Sequence, residues 1–249
     1  AALLIVFVLY CANMIAANPN FGWAVVGEYL FDARILSGLS LTLWLTLVTM
    51  VIGVVLGTVF AILAMTDNVV ISTVANAYIW FFRGTPLLIQ LVVIYTGLPQ
   101  LGLKFGVIGS ALIGLILHEA AYLAEIIRSG FMAVPQGQRE AAWALSIPKA
   151  TIFWRVTLPQ AFRLMIPPFG NSVNSLLKAT SLTSVISVEE IMRRSDMLMQ
   201  EHFQILEVFA AATVYYLILV SVWDLVQQRL ERHFGRSVAR ETKPATVQH

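Results

Sequence analysis

The chain has 249 residues, 58% of them hydrophobic and 12% charged, with a mean hydropathy of +0.78. A water-facing globule usually carries about a quarter charged residues, so this composition excludes an ordinary soluble domain and fits a chain that lives in a lipid bilayer. The formal net charge of +2 is too small to point to nucleic acid, and the single cysteine, Cys11, can form no internal disulfide and reads as a small packing residue.

Ala1 to Ala17 is apolar and short. It reads as a first membrane helix in preference to a signal-peptide core, because no clear cleavage site precedes the Asn18-Pro19-Asn20 turn. Leu36 to Met65 is the second span; Ile35 to Thr66 holds no ionised side chain, and Gly53 and Gly57 form a small-xxx-small face suited to close packing. After a polar turn over 66–72, Thr73 to Leu103 holds a third span, broken near Arg83-Gly84-Thr85-Pro86 because proline lacks a donor and disfavours helix in the residue before it. Val107 to Ile127 is the fourth span, despite His118, Glu119 and Glu125; Phe162 to Leu177 is the fifth and Ile205 to Val226 the sixth.

The connection from Arg128 to Arg163 carries Arg128, Arg139, Lys149, Arg155 and Arg163, and the tail adds Arg229, Arg232, Arg236, Arg240 and Lys243. The positive-inside rule puts both in the cytoplasm. The acid-rich loop over 187–207 falls on the opposite side. Six spans with both termini inside satisfy this pattern. The domains expected are a helix and outer loop over 1–35, a helical transmembrane core over 36–234 with a cytoplasmic connection over 128–163, and a disordered cytoplasmic tail over 235–249.

Between the fourth and fifth spans, Gln136 to Ser146 favours helix, entered at Pro135 and stopped before Pro148. Ala141, Ala142 and Leu145 share one face of it. Ala150 to Val156 forms a second short helix that ends before Leu158-Pro159. The result is a compact helix-turn-helix offered to the cytoplasm, either to a partner that approaches the small alanines closely or to the lipid surface.

Here the chain resembles a family. Glu140-Ala141-Ala142, three residues, Ser146, nine residues, Val156, one residue and Leu158-Pro159 are similar to the EAA signature of ABC-importer permeases. Ser146 stands where glycine is usual, which matters if that turn needs a positive φ, and Val156 stands where isoleucine is usual. Phe82 to Leu88, Ala124 to Gln138 and Leu176 to Leu182 resemble permeases for polar amino acids. An acidic residue often follows the lysine at position 178 in that family, whereas Ala179 follows here.

The resemblance covers about 36–229 and implies an all-α membrane protein with a five-helix importer core plus one extra N-terminal helix. It also implies a second permease copy or paralogue, two ABC ATPase subunits and an extracytoplasmic solute-binding protein, in a bacterial inner membrane. The helix around Glu140 would sit in a cleft of the ATPase, with Gly137, Glu140, Ala141, Ala142, Leu145, Ser146, Leu158 and Pro159 as coupling residues. No glycine-lysine phosphate loop occurs in the sequence, so ATP and Mg²⁺ belong to the partner and no cofactor is expected here.

Charged groups at membrane depth cost about 2.5–3.5 kcal/mol each on insertion scales. Arg83 is an anchor at the cytoplasmic end or a clamp for a substrate carboxylate. Glu125 and Arg128, three apart, can pair. Glu119, deeper and six residues away from Glu125, is the better candidate for a substrate ammonium or cationic side chain. Thr85, Gln90 and Tyr122 are expected along the path. Lys178, Thr180 and Ser181 face the cavity or terminate the fifth span.

The four histidines, His118, His202, His233 and His249, lack metal-ligand spacing, and no serine sits in a nucleophile elbow. Neither catalysis nor a metal is expected. Polar L-amino acids are the expected cargo. The competing functions are an ion-coupled secondary transporter or channel, with its ion on Glu119 or Glu125, and a scaffold that only recruits a cytoplasmic protein.

Overall fold

A computed structural model describes residues 21–235, together with positions 6, 7, 10, 13, 14 and 18. The expected first span over 1–17 lies largely outside the described residues, although Val6, Phe7, Tyr10, Asn13 and Met14 within it are helical. The expected tail after 235 lies wholly outside them.

The chain is all-α. Helix α1 spans Trp23–Leu30 and α2 spans Ala33–Ala64. Asp32 caps α2, its carboxylate accepting from Arg34 N at 2.7 Å. At 32 residues, α2 measures about 48 Å and exceeds the hydrocarbon thickness of about 30 Å. Asn68 caps α3, Val69–Gly84, accepting from Val70 N and Ile71 N. Helix α4, Leu87–Val92, follows at once, and the two axes meet at 104°. A wide π turn over Val93–Gly97 and a 3-10 turn over Leu98–Leu101 complete that segment.

Helix α5 runs from Val107 to Met132, and α6 from Gln136 to Ala144. Helix α7, Lys149–Ile152, continues through a π turn, Phe153–Thr157, into α8, Leu158–Ala179. A 3-10 segment, Thr180–Ile186, leads to α9, Ile191–His202, and α10 spans Ile205–Gly235. Helices α2, α5 and α10 are each long and apolar enough to cross a membrane, and the bent α3–α4 pair adds a fourth candidate. Helix α8 is long enough, but its face of Asn171, Ser175 and Lys178 is polar and exposed.

The core gathers where these helices meet. Leu45 and Met50 of α2 meet Leu91 of α4, Leu115 and Leu123 of α5, and Leu176 of α8. The α2–α5 crossing is close because it is built on small residues. A Cβ on Gly57 would stand 2.8 Å from Leu123 Cβ and 3.0 Å from Ala120 O, so only glycine lets the two backbones approach this far. At one end of the bundle, Tyr215 Oη donates to Leu30 O, Tyr29 Oη donates to Gln204 Oε1 at 2.6 Å and Arg34 pairs with Glu201 at 2.7 Å. These contacts fasten α1 to α10 and to the α9–α10 junction, and α2 to α9.

Two local expectations change. Leu158-Pro159 does not end the helix: Pro159 sits in the first turn of α8, where a missing N–H removes no intrahelical bond. The acid-rich stretch over 187–207 is largely helical, because Glu190 caps it by accepting from Met192 N and Arg193 N, both at 2.9 Å.

Candidate functional site

Two groups of residues stand out, one between the helices and one at the bundle end where α5 leaves and α8 enters.

The first begins at the α3–α4 break. Pro86 carries no N–H, which leaves the carbonyl of Phe82, four residues earlier, without its helical donor. Gln90 supplies it: Nε2 donates to Phe82 O at 2.9 Å, and also lies 3.0 Å from Thr85 O and 2.8 Å from Thr85 Oγ1. Thr85 Oγ1 in turn donates to Phe81 O at 2.9 Å. Gln90 Oε1 meets His118 Nδ1 of α5 at 3.3 Å. Gln90 is buried. The sequence placed Gln90 and Thr85 along a path; the structure turns both into the backbone bracket of the break.

Just beyond the bracket, Glu125 holds two arginines. Its Oε1 accepts from Arg128 Nη2 at 2.5 Å, and its Oε2 faces Arg83 Nη1 at 3.4 Å. The Arg83 guanidinium also lies over the Tyr122 ring, 5.5 Å from its centroid. Two cations against one carboxylate leave a surplus positive charge in this half-exposed cluster. Glu119 faces elsewhere. It is 5% exposed and accepts from Ser172 Oγ of α8, while Gly53 of α2 packs against its stem. Glu119 and Glu125 therefore occupy separate environments.

Lys178, Thr180 and Ser181 do not form one cavity-facing set. Thr180 is fully buried, with Oγ1 donating to Leu177 O at 2.8 Å, and Ser181 Oγ donates to Lys178 O at 2.6 Å. Both hydroxyls close the end of α8, and only Lys178 of the three is exposed.

The second group is the hairpin α6–α7. Gly137, Glu140, Ala141 and Leu145 are exposed, and Ala142 is buried, so the expected small face is only partly free. Leu158 is half-buried and Pro159 exposed at the start of α8. Ser146 has φ 58°, in the left-handed region, where glycine is the undemanding residue. Its N–H donates to Trp143 O at 2.9 Å, and Ile147 N donates to Ala142 O at 3.2 Å. These bonds close the carboxyl end of α6 as in other left-handed helix ends.

Residues the sequence left unassigned also tie the helices. Asn174 Nδ2 of α8 donates to Asp224 of α10 at 3.0 Å, Trp223 Nε1 donates to Gly170 O at 2.8 Å, and Tyr216 Oη donates to Glu190 at 2.9 Å. The polar run Asn171 to Ser175 inside an expected span was the signal for the first of these. Among the described residues no cluster of histidine, cysteine and carboxylate could hold a metal.

Comparison with known proteins places this geometry in a family. Residues 53–236 match the family model described as binding-protein-dependent transport system inner membrane component. The arginine transport system permease protein ArgU of Corynebacterium glutamicum is 40% identical, the alignment covering 96% of this chain and 79% of that protein. The arginine transport system permease protein ArtQ of Bacillus subtilis is 36% identical over 80% of this chain and 91% of its own. A crystal structure of an amino acid ABC transporter with histidines superposes with a TM-score of 0.77 at 34% identity, over 80% of this chain and 94% of that one. An inward-facing MetNI methionine ABC transporter shares the fold, with a TM-score of 0.66 at 20% identity and coverage of 80% and 95%. The chain belongs to the binding-protein-dependent inner-membrane transport family: it is a multi-pass permease subunit of an ABC importer, related to polar and basic amino-acid uptake systems, and its ATP is hydrolysed in a separate subunit.

Proposed function

We propose that this permease admits polar amino acids, cationic ones among them, delivered by an extracytoplasmic binding protein, and that its α6–α7 hairpin is the contact through which two ATPase subunits drive it. The observation that carries the coupling role is the hairpin itself. It joins α5 to α8, exposes Gly137, Glu140, Ala141 and Leu145, and is locked at Ser146 by a left-handed turn. A rigid, small-faced projection continuous with two long helices can transmit a push; a loose loop cannot. The cargo class rests on the 40% and 36% identity to two arginine permeases.

The chain works as a dimer with itself or a paralogue. Residues 1–35 supply an added helix and outer loop, 36–234 the core, and 128–163 the cytoplasmic coupling connection. Six spans put both termini inside, with the arginine-rich end of α10 in the cytoplasm. Arg83, Tyr122 and Glu125 form a half-exposed polar cluster through which a zwitterion can pass, Glu119 is the deeper carboxylate facing α8, and Lys178 is an exposed cation near the far end of α8.

The reading is tested by co-purification and uptake. An ATPase subunit is expected to accompany the chain, and reconstituted uptake is expected to need ATP hydrolysis. Uptake driven by an ion gradient alone would establish the secondary-transporter alternative. Glu140→Lys is expected to abolish uptake while the protein still inserts, and normal uptake by that variant would remove the hairpin from the coupling path.

A further inference from the structure

One face of α6 shares only Glu140 with the proposed ATPase contact. Gln136, Arg139, Glu140 and Trp143 recur at the spacing of a single helix side and line a cavity of about 740 Å³. Gly137, Ala141 and Leu145 point the other way. The cavity's remaining walls are largely apolar: Met65, Phe131, Met132, Ile152 and Phe153. Met65 caps the carboxyl end of α2 and Met132 is the last residue of α5, so the cavity lies at the end of the bundle where these two long helices terminate.

We infer that this cavity holds an anionic phospholipid of the cytoplasmic leaflet, its headgroup held by Arg139 and Lys149 and the upper part of its acyl chains against the methionine and phenylalanine walls. The inference rests on the orientation given under Proposed function, which puts this end of the bundle inside the cell. Arg139 and Lys149 outnumber Glu140 among the charged lining residues. Lys149 Nζ stands 5.5 Å above the Trp143 ring, and Trp143 and Trp154 are 63% and 65% exposed. Tryptophan with one polar edge and an apolar body is the side chain of the headgroup layer. Basic pockets between membrane helices on the cytoplasmic side are built to hold anionic headgroups, and the volume lies in the range of sites that enclose a small amphiphile.

The permease–ATPase complex is tested in nanodiscs of equal parts phosphatidylglycerol and phosphatidylcholine, with a photoreactive amino acid at position 132, a 68% exposed cavity wall. Mass spectrometry reads the adducts. Phosphatidylglycerol adducts are expected to exceed phosphatidylcholine adducts about tenfold, since each basic residue near the surface is worth about a fivefold preference and Glu140 opposes part of it. In the Arg139→Gln, Lys149→Gln double variant the ratio is expected to fall to about one. Equal labelling of the two lipids by the parent, a preference that survives the double substitution, or labelling of the ATPase in place of lipid would each overturn the inference. The ATPase recovered with the same discs is scored separately, so loss of the ATPase contact and loss of the lipid preference are distinct outcomes.

Discussion

Replacing Gln90 with leucine separates scaffold from pathway. The amide nitrogen has two hydrogens for three acceptors, Phe82 O, Thr85 O and Thr85 Oγ1 at 2.9, 3.0 and 2.8 Å, so it satisfies at most two at once. Leucine has similar bulk and no donor. It would leave the Phe82 carbonyl, already deprived of its helical donor by Pro86, and the Thr85 carbonyl without the amide. An unsatisfied buried acceptor costs about 1–3 kcal/mol, and the gain from an apolar side chain offsets part of it, for a net loss of about 2–4 kcal/mol. For a chain of this size about 1 kcal/mol moves the unfolding midpoint by about 2–4 °C, so the midpoint in nanodiscs is expected to fall by about 4–16 °C. Thr85→Val removes only the hydroxyl and is expected to cost less than Gln90→Leu. A Gln90→Leu protein that melts within about 2 °C of the parent yet fails to transport would refute the bracket and return Gln90 to the substrate path.

Three further outcomes follow from local geometry. Ser146→Gly relieves a φ of 58° and is expected to stabilise the hairpin by about 0.5–1 kcal/mol, read as slower hydrogen exchange at the amides of residues 146 and 147; faster exchange would contradict it. Gly57→Leu forces a side chain into a gap where Cβ alone meets Leu123 Cβ at 2.8 Å, and is expected to cost about 1–3 kcal/mol or more, visible as a lowered midpoint and loss of monodisperse protein. The Arg34 side chain, hydrogen-bonded to Asp32, holds the Asp32 carboxyl below its ordinary range. A depressed folded-state value gives stabilisation that is complete above about pH 4 and drains away as the pH falls through that value. Asp32→Asn, which keeps a good helix cap, is therefore expected to melt below the parent at neutral pH, with the gap narrowing as the pH falls below about 4; a gap that does not narrow on acidification would discount the ion pair.

What was legible in the sequence was whatever depends on neighbours along the chain. A long uncharged run marked α2, Pro86 marked the break, and Pro135 and Pro148 framed α6. The serine standing at a usual glycine position flagged the turn whose φ proves positive. Contacts between distant segments were not legible. Gln90 looked like a pore residue because a glutamine in a span needs a partner, and its partner is a carbonyl eight residues back that lost its donor. Thr180 read equally as cavity-facing or as terminating the fifth span; only its contacts decide, for it is fully buried and donates to Leu177 O. Charge density made 187–207 read as loop, although Ile191, Ser195 and Leu198, spaced as one helix face, are all fully buried beneath it. Leu158-Pro159 read as a stop because proline disfavours helix in the residue before it.

The connectivity gives the hairpin its mechanical meaning. Helix α5 reaches α6 through only three residues, Ala133 to Pro135, and α7 passes into α8 through a π turn with no intervening loop, so α6 cannot shift without loading the ends of both long helices. Those two helices are fastened again in mid-bundle, where Ser172 of α8 donates to Glu119 of α5. Under the proposed coupling, a displacement at α6 would reach a pair braced at a second point, and a braced pair would turn as a body where two independent helices would bend. Glu119 is buried with this one hydroxyl partner and the Gly53 backbone behind it, and a carboxylate so placed acts as a strut between the two helices that a driving subunit would turn. Arg83, Tyr122 and Glu125 lie at the edge of the same pair, where α5 meets the end of α3. Under the proposed function, a rotation of α5 would change the Arg83–Glu125 separation, 3.4 Å here, and that ion pair would then open and close the proposed passage.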